Sequence, residues 1–336
     1  MSVMEARTLF ETSFLRARPP VDVNHRMDVK VVISCKLCNL NGEADSGKPR
    51  QDQESGHGLA SGVCLKRHIR DTMAALLGDR PGFQIYVTRK AILEHKQIDI
   101  YNAAGIPIKK GKNGGKKGRE EGADEDDDEA VVPVEDGENV RRAKAWACKT
   151  WVDVRNFGAV MTMRAANCGQ VRGAWTVPMA VTVDPVLVVD EAITCSCLHS
   201  EEEAKTNRML QTFGDRPRIA FGLYVDDLQF SPAFGQDVGY SSEDMEVFFE
   251  ALGRLFEYTR SASRDRVYME QVIVFEHNNP LGCAPAHRLF RLVDIARKDP
   301  TKPARDVSDY TITAKEEVER RVQELGYKGV TVHYLL

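Results

Sequence analysis

Lys66, Arg67 and Arg70 are the side chains whose types and spacing point most clearly to chemistry. They belong to the run Val-Cys-Leu-Lys-Arg-His-Ile-Arg at 63–70. On a helix, positions 66 and 70 are one turn apart and 67 projects beside them, so three cations gather on one flank. Ser61 is a suitable N-cap and Gly78 a suitable stop, which predicts a helix of about four turns between them. Leu65, Ile69, Met73 and Leu76 fall on one apolar face of it, so that face should pack while the neighbouring flank presents the cations. The preceding stretch 39–60 is rich in Asn, Gly and Asp, which favour turns and positive φ, and is expected to be an exposed connector without strand or helix. A Gly-rich approach to a basic helix suits a polyanion that comes close to backbone amides. The competing reading is a solvated basic face.

Further polar side chains stand out against apolar and glycine neighbours. Arg50 lies in the connector. Arg155 lies in Trp-Val-Asp-Val-Arg-Asn-Phe-Gly-Ala-Val-Met at 151–161, and Gln170 and Arg172 in Asn-Cys-Gly-Gln-Val-Arg-Gly at 167–173. Arginines in such settings suit phosphate contacts, because the planar guanidinium donates in a fork. For Arg155 the alternative is an internal ion pair, for instance with Asp153.

Two motifs raise enzyme chemistry. Tyr-Val-Asp-Asp at 224–227 resembles the metal-binding tetrapeptide of reverse transcriptases, where paired aspartates hold Mg²⁺. A two-metal site needs a further carboxylate on a neighbouring strand, and no such motif lies upstream, so an exposed acidic turn is the simpler reading. Cys35 with Cys38, and Cys195, Cys197 and His199, have spacings open to zinc. Both clusters lie in strand-like sequence rather than on knuckle turns, so no metal is assigned. No Ser-His-Asp or Cys-His arrangement, P-loop or dinucleotide fingerprint is present, and no cofactor is expected.

The elements that must position these residues can be read along the chain. Its 336 residues could form one large domain or two smaller ones, with enough apolar content for a real core. Val29, Val31, Ile33 and Cys35 alternate, and Val32 makes the run nearly continuous, as in an interior strand. Strand-like alternation recurs at 83–87, at Val177, Met179, Val181 and Val183, and at 272–275; 141–150 reads as a short helix. Residues 186–221 read as a long two-stranded excursion with a polar tip at 200–208. Ser241 and Ser242 followed by Glu243 and Asp244 open a helix whose stripe is Met245, Phe248, Phe249, Leu252, Leu255 and Phe256. Thr313 and Glu316 suggest a capping box for a last helix ending at Gly326, before a strand with Val330, Val332 and Tyr334. Strands interleaved with helices in this way predict an α+β sheet with helices on one face.

Charge is distributed unevenly. The formal net charge is −4, yet residues 109–119 carry six cations and 120–129 eight anions. Set aside together, they leave a chain that is still slightly acidic, so a nucleic-acid site must be a local patch. Residues 109–139 form a low-complexity insert expected to be disordered, because neither half can bury apolar area. Residues 1–23 are expected to be a flexible or docking extension. No apolar run approaches membrane-spanning length and residues 1–10 lack a signal-peptide pattern, so a cytoplasmic protein with reduced thiols is expected.

The strand 29–35, the Asn-Leu-Asn-Gly-Glu-Ala-Asp loop at 39–45, the Gly-His-Gly-Leu run at 56–59 and the basic run at 63–70 together resemble the backbone subunit of a type I-C CRISPR Cascade. That subunit is of the Cas-seven group within the repeat-associated RNA-binding proteins. The motifs at 151–161 and 167–173, Arg-Ser-Ala-Ser-Arg at 260–264 and Phe-Glu-His-Asn at 275–278 resemble the same family, and the likeness spans about residues 24–334. The family loop reads Asn-Pro-Asn-Gly-Asp-Pro-Asp, so Leu40, Glu43 and Ala44 depart from it.

The resemblance implies a ferredoxin-like, RNA-recognition-type palm over 24–336 with inserted fingers and a thumb hairpin at about 186–222. It implies a non-catalytic subunit that polymerises along CRISPR RNA and presents the guide for pairing with target DNA in antiviral defence. The implied partners are CRISPR RNA, the paired DNA strand, further copies of the chain and Cascade subunits of the Cas-five and Cas-eight types, with no membrane. Pairing reads the sequence, so the protein contacts mainly phosphate and ribose. Arg50, Lys66, Arg67, Arg70, Arg155 and Arg172 would hold phosphates and Gln170 a ribose or backbone group. Asp45 occupies the loop where related type III subunits place an RNA-cleaving aspartate, which gives one rival reading; Asp226 and Asp227 in a polymerase-like palm give another. Fewer basic residues stand in the hairpin than the family usually has, and Asp215, Val225, Asp226 and Asp227 depart from its pattern.

Overall fold

The computed structural model describes residues 13–78, 80–108, 137–163, 166–195 and 212–336. It begins with strand β1 (Met27–Cys38), strand β2 (His57–Ala60) and helix α1 (Gly62–Leu77), followed by α2 (Leu93–Ala103), α3 (Gly137–Thr150) and α4 (Val152–Phe157). Seven short strands come next: β3 (Ala159–Met161), β4 (Gly169–Val171), β5 (Trp175–Thr176), β6 (Ala180–Pro185), β7 (Val188–Val189), β8 (Ala192–Cys195) and β9 (Thr212–Asp215). Long strand β10 (Arg218–Phe230), α5 (Pro232–Val238), α6 (Ser242–Gly253) and β11 (Val267–His277) then build the centre. The chain closes with α7 (Ala286–Phe290), β12 (Ile295–Arg297), β13 (Tyr310–Ile312), α8 (Lys315–Glu324) and β14 (Val330–Tyr334).

The main sheet runs β14-β11-β1-β10-β6-β2, with β5 and β7 also paired to β10, and its pairings are antiparallel. β1 lies between β10 and β11 and is buried on both faces as far as Cys35, which explains its near-continuous apolar run. Its odd residues Val29, Val31 and Ile33 share one core with Leu65, Ile69 and Met73 of α1 and Met245, Phe248 and Phe249 of α6. Its even residues face the other way, where Val32 packs with Phe221, Leu223 and Tyr310. On that second face Ile273 and Phe275 of β11 pack with Leu289 and Phe290 of α7 and Val318 and Val322 of α8. The α+β class holds, and helices cover both faces rather than one. Among the described residues no helix is long and apolar enough to cross a membrane.

Several local expectations hold. Ser61 caps α1, accepting from Cys64 N, and Leu65, Ile69 and Met73 are buried. Ser241 and Asp244 form a reciprocal capping box on α6.

Others are corrected by where the polar groups find partners. The connector 39–60 ends in strand β2, paired with β6, and carries bridges between Gly42 and Pro49 and between Gln51 and Gly58. Gly78 ends α1 with φ −56°, so it is not a left-handed stop. Residues 83–87 form no strand beyond one bridge from Gln84 to Trp151, because their backbone groups are taken by side chains. Asp153 accepts from Tyr86 N and Val87 N, and Lys96 Nζ donates to Ile85 O and Tyr86 O.

Around β6 the apolar alternation is split: Val177 is buried and Val183 packs against the Val32 core, but Met179 and Val181 are 47% and 41% exposed, while Ala180 and Thr182 are buried. Thr182 is satisfied there, its hydroxyl accepting from Gly58 N and donating to Asp184 O. The last helix starts at Lys315 without a side-chain cap, since Thr313 instead bonds to Asp294.

α3 begins at Gly137, inside the stretch assigned to the insert, and the disorder expected of 109–136 lies outside the described residues. So does the hairpin tip at 200–208, although β7, β8, β9 and the start of β10 supply the expected two-stranded excursion. Residues 13–23 are not a free tail. Ser13 bonds to Glu250, Leu15 packs on the main core and Arg16 N donates to Leu335 O.

Candidate nucleic-acid interface

The N-terminus of α1 is pressed against the chain entering β6. A Cβ on Gly62 would lie 2.1 Å from Val177 O, so only glycine permits this approach. The adjacent flank of α1 leans over Phe157, the last residue of α4. Lys66 Nζ is 5.7 Å and the Arg70 guanidinium 5.1 Å from the centre of that ring. The backbone then turns at Gly158 and meets Gly173, where a Cβ would lie 2.3 Å from Gly158 N. Arg172 belongs to this clamp, its Cα 3.3 Å from where a Gly158 Cβ would lie, and its side chain is exposed and stacked 3.8 Å over Phe234. Gln170 is exposed on the β3–β4 ribbon, opposite Val160.

Lys66 and Arg70 thus lie over Phe157, with Arg67 beside them on α1, while Gln170 and Arg172 stand on the β4 side of the glycine clamp that follows Phe157. Burial, and then the neighbouring Arg70 charge, lower the Lys66 pKa. Arg67 is half-buried and paired with Asp71 at 3.2 Å. Arg50 lies on the other side of α1. Burial raises the Cys64 thiol, and the charges of Arg264 and Arg50 act against that shift. His68, buried beside Thr259, is pushed down to about 4 by burial first and then by Arg264. Nε of Arg50 and Nε of Arg264 are both buried without a hydrogen-bond partner among the described residues. Arg264 was legible in the sequence as the last residue of the 260–264 motif, but nothing in its spacing joined it to the basic helix.

Two of the arginines chosen from sequence have interior work. Arg155 is buried, with Nε and a terminal nitrogen on Asp244 at 3.1 and 2.5 Å. Its other donors take Cys148 O and Gly82 O at 2.6 and 2.8 Å. The internal-pair reading is thus right for Arg155, with Asp244 as the partner in place of Asp153. Asp244 accepts at the same time from the Ser241 N–H, so one carboxylate caps α6 and ties it to α4. Arg70 is also drawn inward: its Nε donates to Asp153 at 2.8 Å, with 11% of its side chain exposed. It is a brace under the strip rather than a free cation on it.

The aspartate pair is not a turn. Asp226 and Asp227 are consecutive in the middle of β10, so they point to opposite faces and cannot share one ion. Asp227 is bound to Lys30 at 2.6 Å on the second face. Asp226 is buried on the first, its Oδ2 without a partner among the described residues, and burial pushes its carboxyl up to about 6. Asp45 is exposed and accepts from Ser46 N at 2.7 Å, which is the local bond of a turn. Cys35 and Cys38 are both buried, and the Cys38 thiol donates to Asp265 and accepts from Arg266 N. Cys197 and His199 lie outside the described residues. No group of three or more His, Cys, Asp or Glu side chains is placed to hold a metal among the described residues.

A family model for "CRISPR-associated protein Cas7" matches residues 25–315. The chain belongs to the Cas7 family. Its fold is similar to a chain of a solved "CRISPR RNA-guided surveillance complex, pre-nicking", with a TM-score of 0.50 and 14% identity over 89% of this chain and 88% of that one. A chain of another "CRISPR RNA-guided surveillance complex" is similar with a TM-score of 0.45 and 12% identity, over 92% of this chain and 88% of that one. No curated protein matches the sequence. The Cas7 match takes in β1, the connector, α1, the 151–173 segment and Arg264, and so covers every residue of the cationic strip.

Proposed function

We propose that this Cas7-family chain is a non-catalytic backbone subunit of a type I-C CRISPR surveillance complex. Several copies would line one CRISPR RNA and hold its guide segment extended for pairing with target DNA. The observation that supports the reading is Lys66 of α1 over Phe157, with the backbone at Arg172 packed against the Gly158 that follows that ring; the strip from Lys66 to Arg172 is the RNA path of this reading. The strip offers cations and an amide to a backbone. Phe157 is half-buried beneath Lys66 and Arg70, so no free aromatic platform there reads bases. Lys66, Arg67 and Arg172 hold phosphates in this reading and Gln170 a ribose or phosphate. Arg50 and Arg264 extend the path past the N-terminus of α1, their unpartnered Nε groups being suited to an anion. Arg70 and Arg155 keep the strip in shape.

The palm is the main sheet with its helices, and the excursion at about 186–222 is the thumb. The absence of catalysis is supported by the opposed aspartates of β10 and by the turn bond of Asp45. Incubating the purified protein with bound target RNA and Mg²⁺ tests this: intact RNA is expected, and cleavage lost in Asp45→Asn would put the RNA-cleaving reading in its place.

A further inference from the structure

The second face of the sheet carries a cleft of about 610 Å³ that the guide strip does not use. Five cations line it: Lys36 from β1, Arg297 from β12, and Lys298, Lys302 and Arg305 from the loop joining β12 to β13. The cleft lies across the sheet from α1, because β1 sends Ile33 to the α1 core and Lys36 to the β12–β13 side.

The carboxylates in the cleft are already engaged. Asp306 takes Lys36 at 2.9 Å and the Ser308 N–H, and these bonds hold its carboxyl below the usual range. Asp309 accepts from Arg305 N and Asp306 N. Asp299 accepts from Thr301 and Lys302. Arg297 is held by Asp184 at 3.2 Å and by Lys302 O. Lys298 and Arg305 are exposed, and their side chains have no hydrogen-bond or ion-pair partner among the described residues. The surplus charge is therefore positive and is carried by exposed side chains.

We propose that this cleft binds the sugar–phosphate backbone of a nucleic-acid strand other than the guide. The proposal rests on the RNA-guided reading above and gives that assembly a second polyanion site. Lys298, Asp299, Lys302, Pro303 and Arg305 are exposed, so the cleft is open along its length and suits an extended chain better than an enclosed small molecule. None of the described residues lining the cleft is aromatic, and Tyr310, the first residue of β13 after Asp309, is buried with its hydroxyl on Asp184, so no ring is offered to a base. Binding at this site is consequently independent of base sequence.

The test uses the full-length protein as purified with its bound RNA, and a single-stranded oligodeoxythymidylate with no complementarity to the guide as the probe. Lys298→Glu with Arg305→Glu is expected to weaken probe binding at least tenfold while the RNA content per protein stays unchanged. The milder Lys298→Ala, Arg305→Ala pair should lower the salt slope by about 1.4, since each contact on a single strand contributes about 0.7. Unchanged probe binding would overturn the proposal and leave the cleft to an acidic protein surface. Loss of bound RNA together with probe binding would overturn it too, because the guide itself would then cross this face. If the wild-type protein carries no RNA yet binds the probe through Lys298 and Arg305, the cleft stands and the guide-binding reading fails.

Discussion

The Arg70 guanidinium and the Asp153 carboxylate meet at 2.8 Å beneath the cationic strip, with 1% of the Asp153 side chain exposed. Asp153 also accepts from Tyr86 N and Val87 N, so one carboxylate joins α1, α4 and the 83–87 segment. The charge of Arg70 is spent on architecture, and its removal leaves a buried anion. Arg70→Ala should cost roughly 3 kcal/mol of stability, seen as a lower denaturation midpoint at unchanged slope. A fully stable variant with weakened RNA binding would return Arg70 to the list of phosphate contacts.

Lys66, Arg67 and Arg172 behave differently in this account. Arg67 loses only a half-exposed pair with Asp71, and Arg172 only its stacking on Phe234. The triple alanine variant should melt like the parent and lose affinity for every RNA sequence alike. Its plot of log affinity against log salt should be shallower by about 2, at roughly 0.7 per contact. Equal slopes in folded proteins would move the RNA path off this strip.

Arg155→Ala removes five hydrogen bonds that tie α4 to the end of α3, the Gly82 turn and the N-terminus of α6. Breaking a buried pair of this kind costs about 3–5 kcal/mol, so poor folding is expected and not a specific RNA defect. Arg155→Lys should not rescue it, because an ammonium cannot reproduce the forked geometry. Thermal melts and RNA retention measured together separate the two outcomes.

Asp226 gives a pH signature. Its folded carboxyl holds a proton up to about pH 6, whereas the ordinary value is 3.8. Stability from this group is complete below that ordinary value and is lost as the pH rises through 6, where a buried anion must be carried. Asp226→Asn should therefore stabilise the protein at pH 8, by an amount on the order of 1–3 kcal/mol, with the gain vanishing near pH 4. Denaturant curves at both pH values check this, and a destabilised variant at pH 8 would show that the charged form is favoured.

Much of the scaffold was legible because one physical rule governed each stretch. β1 is interior, its odd positions Val29, Val31 and Ile33 apolar and regularly spaced; Ser61 and the Ser241–Asp244 box sit where orphan N–H groups need acceptors. The reading failed where tertiary partners decided. Residues 83–87 look like a strand, but Asp153 and Lys96 satisfy their backbone. Val181 looks buried by alternation, yet Thr182 takes the inner face because Gly58 N and Asp184 O satisfy its hydroxyl. Within the strip, sequence supplies the charge of Arg70 and Arg155 but not the buried carboxylates that claim them. Arg264 comes beside α1 through long-range pairing, with Ser263 O accepting from Asn39 N just before β11 joins β1, contacts no local pattern encodes.

The most direct test of the central claim is the nucleic acid that accompanies the purified protein. The account predicts a discrete short RNA, protected from nuclease over a regular length and released by high salt, and largely missing from the Lys66→Ala, Arg67→Ala, Arg172→Ala variant although that variant is folded. Protein that purifies free of RNA from cells expressing CRISPR RNA, or a variant that retains the same RNA, would contradict it.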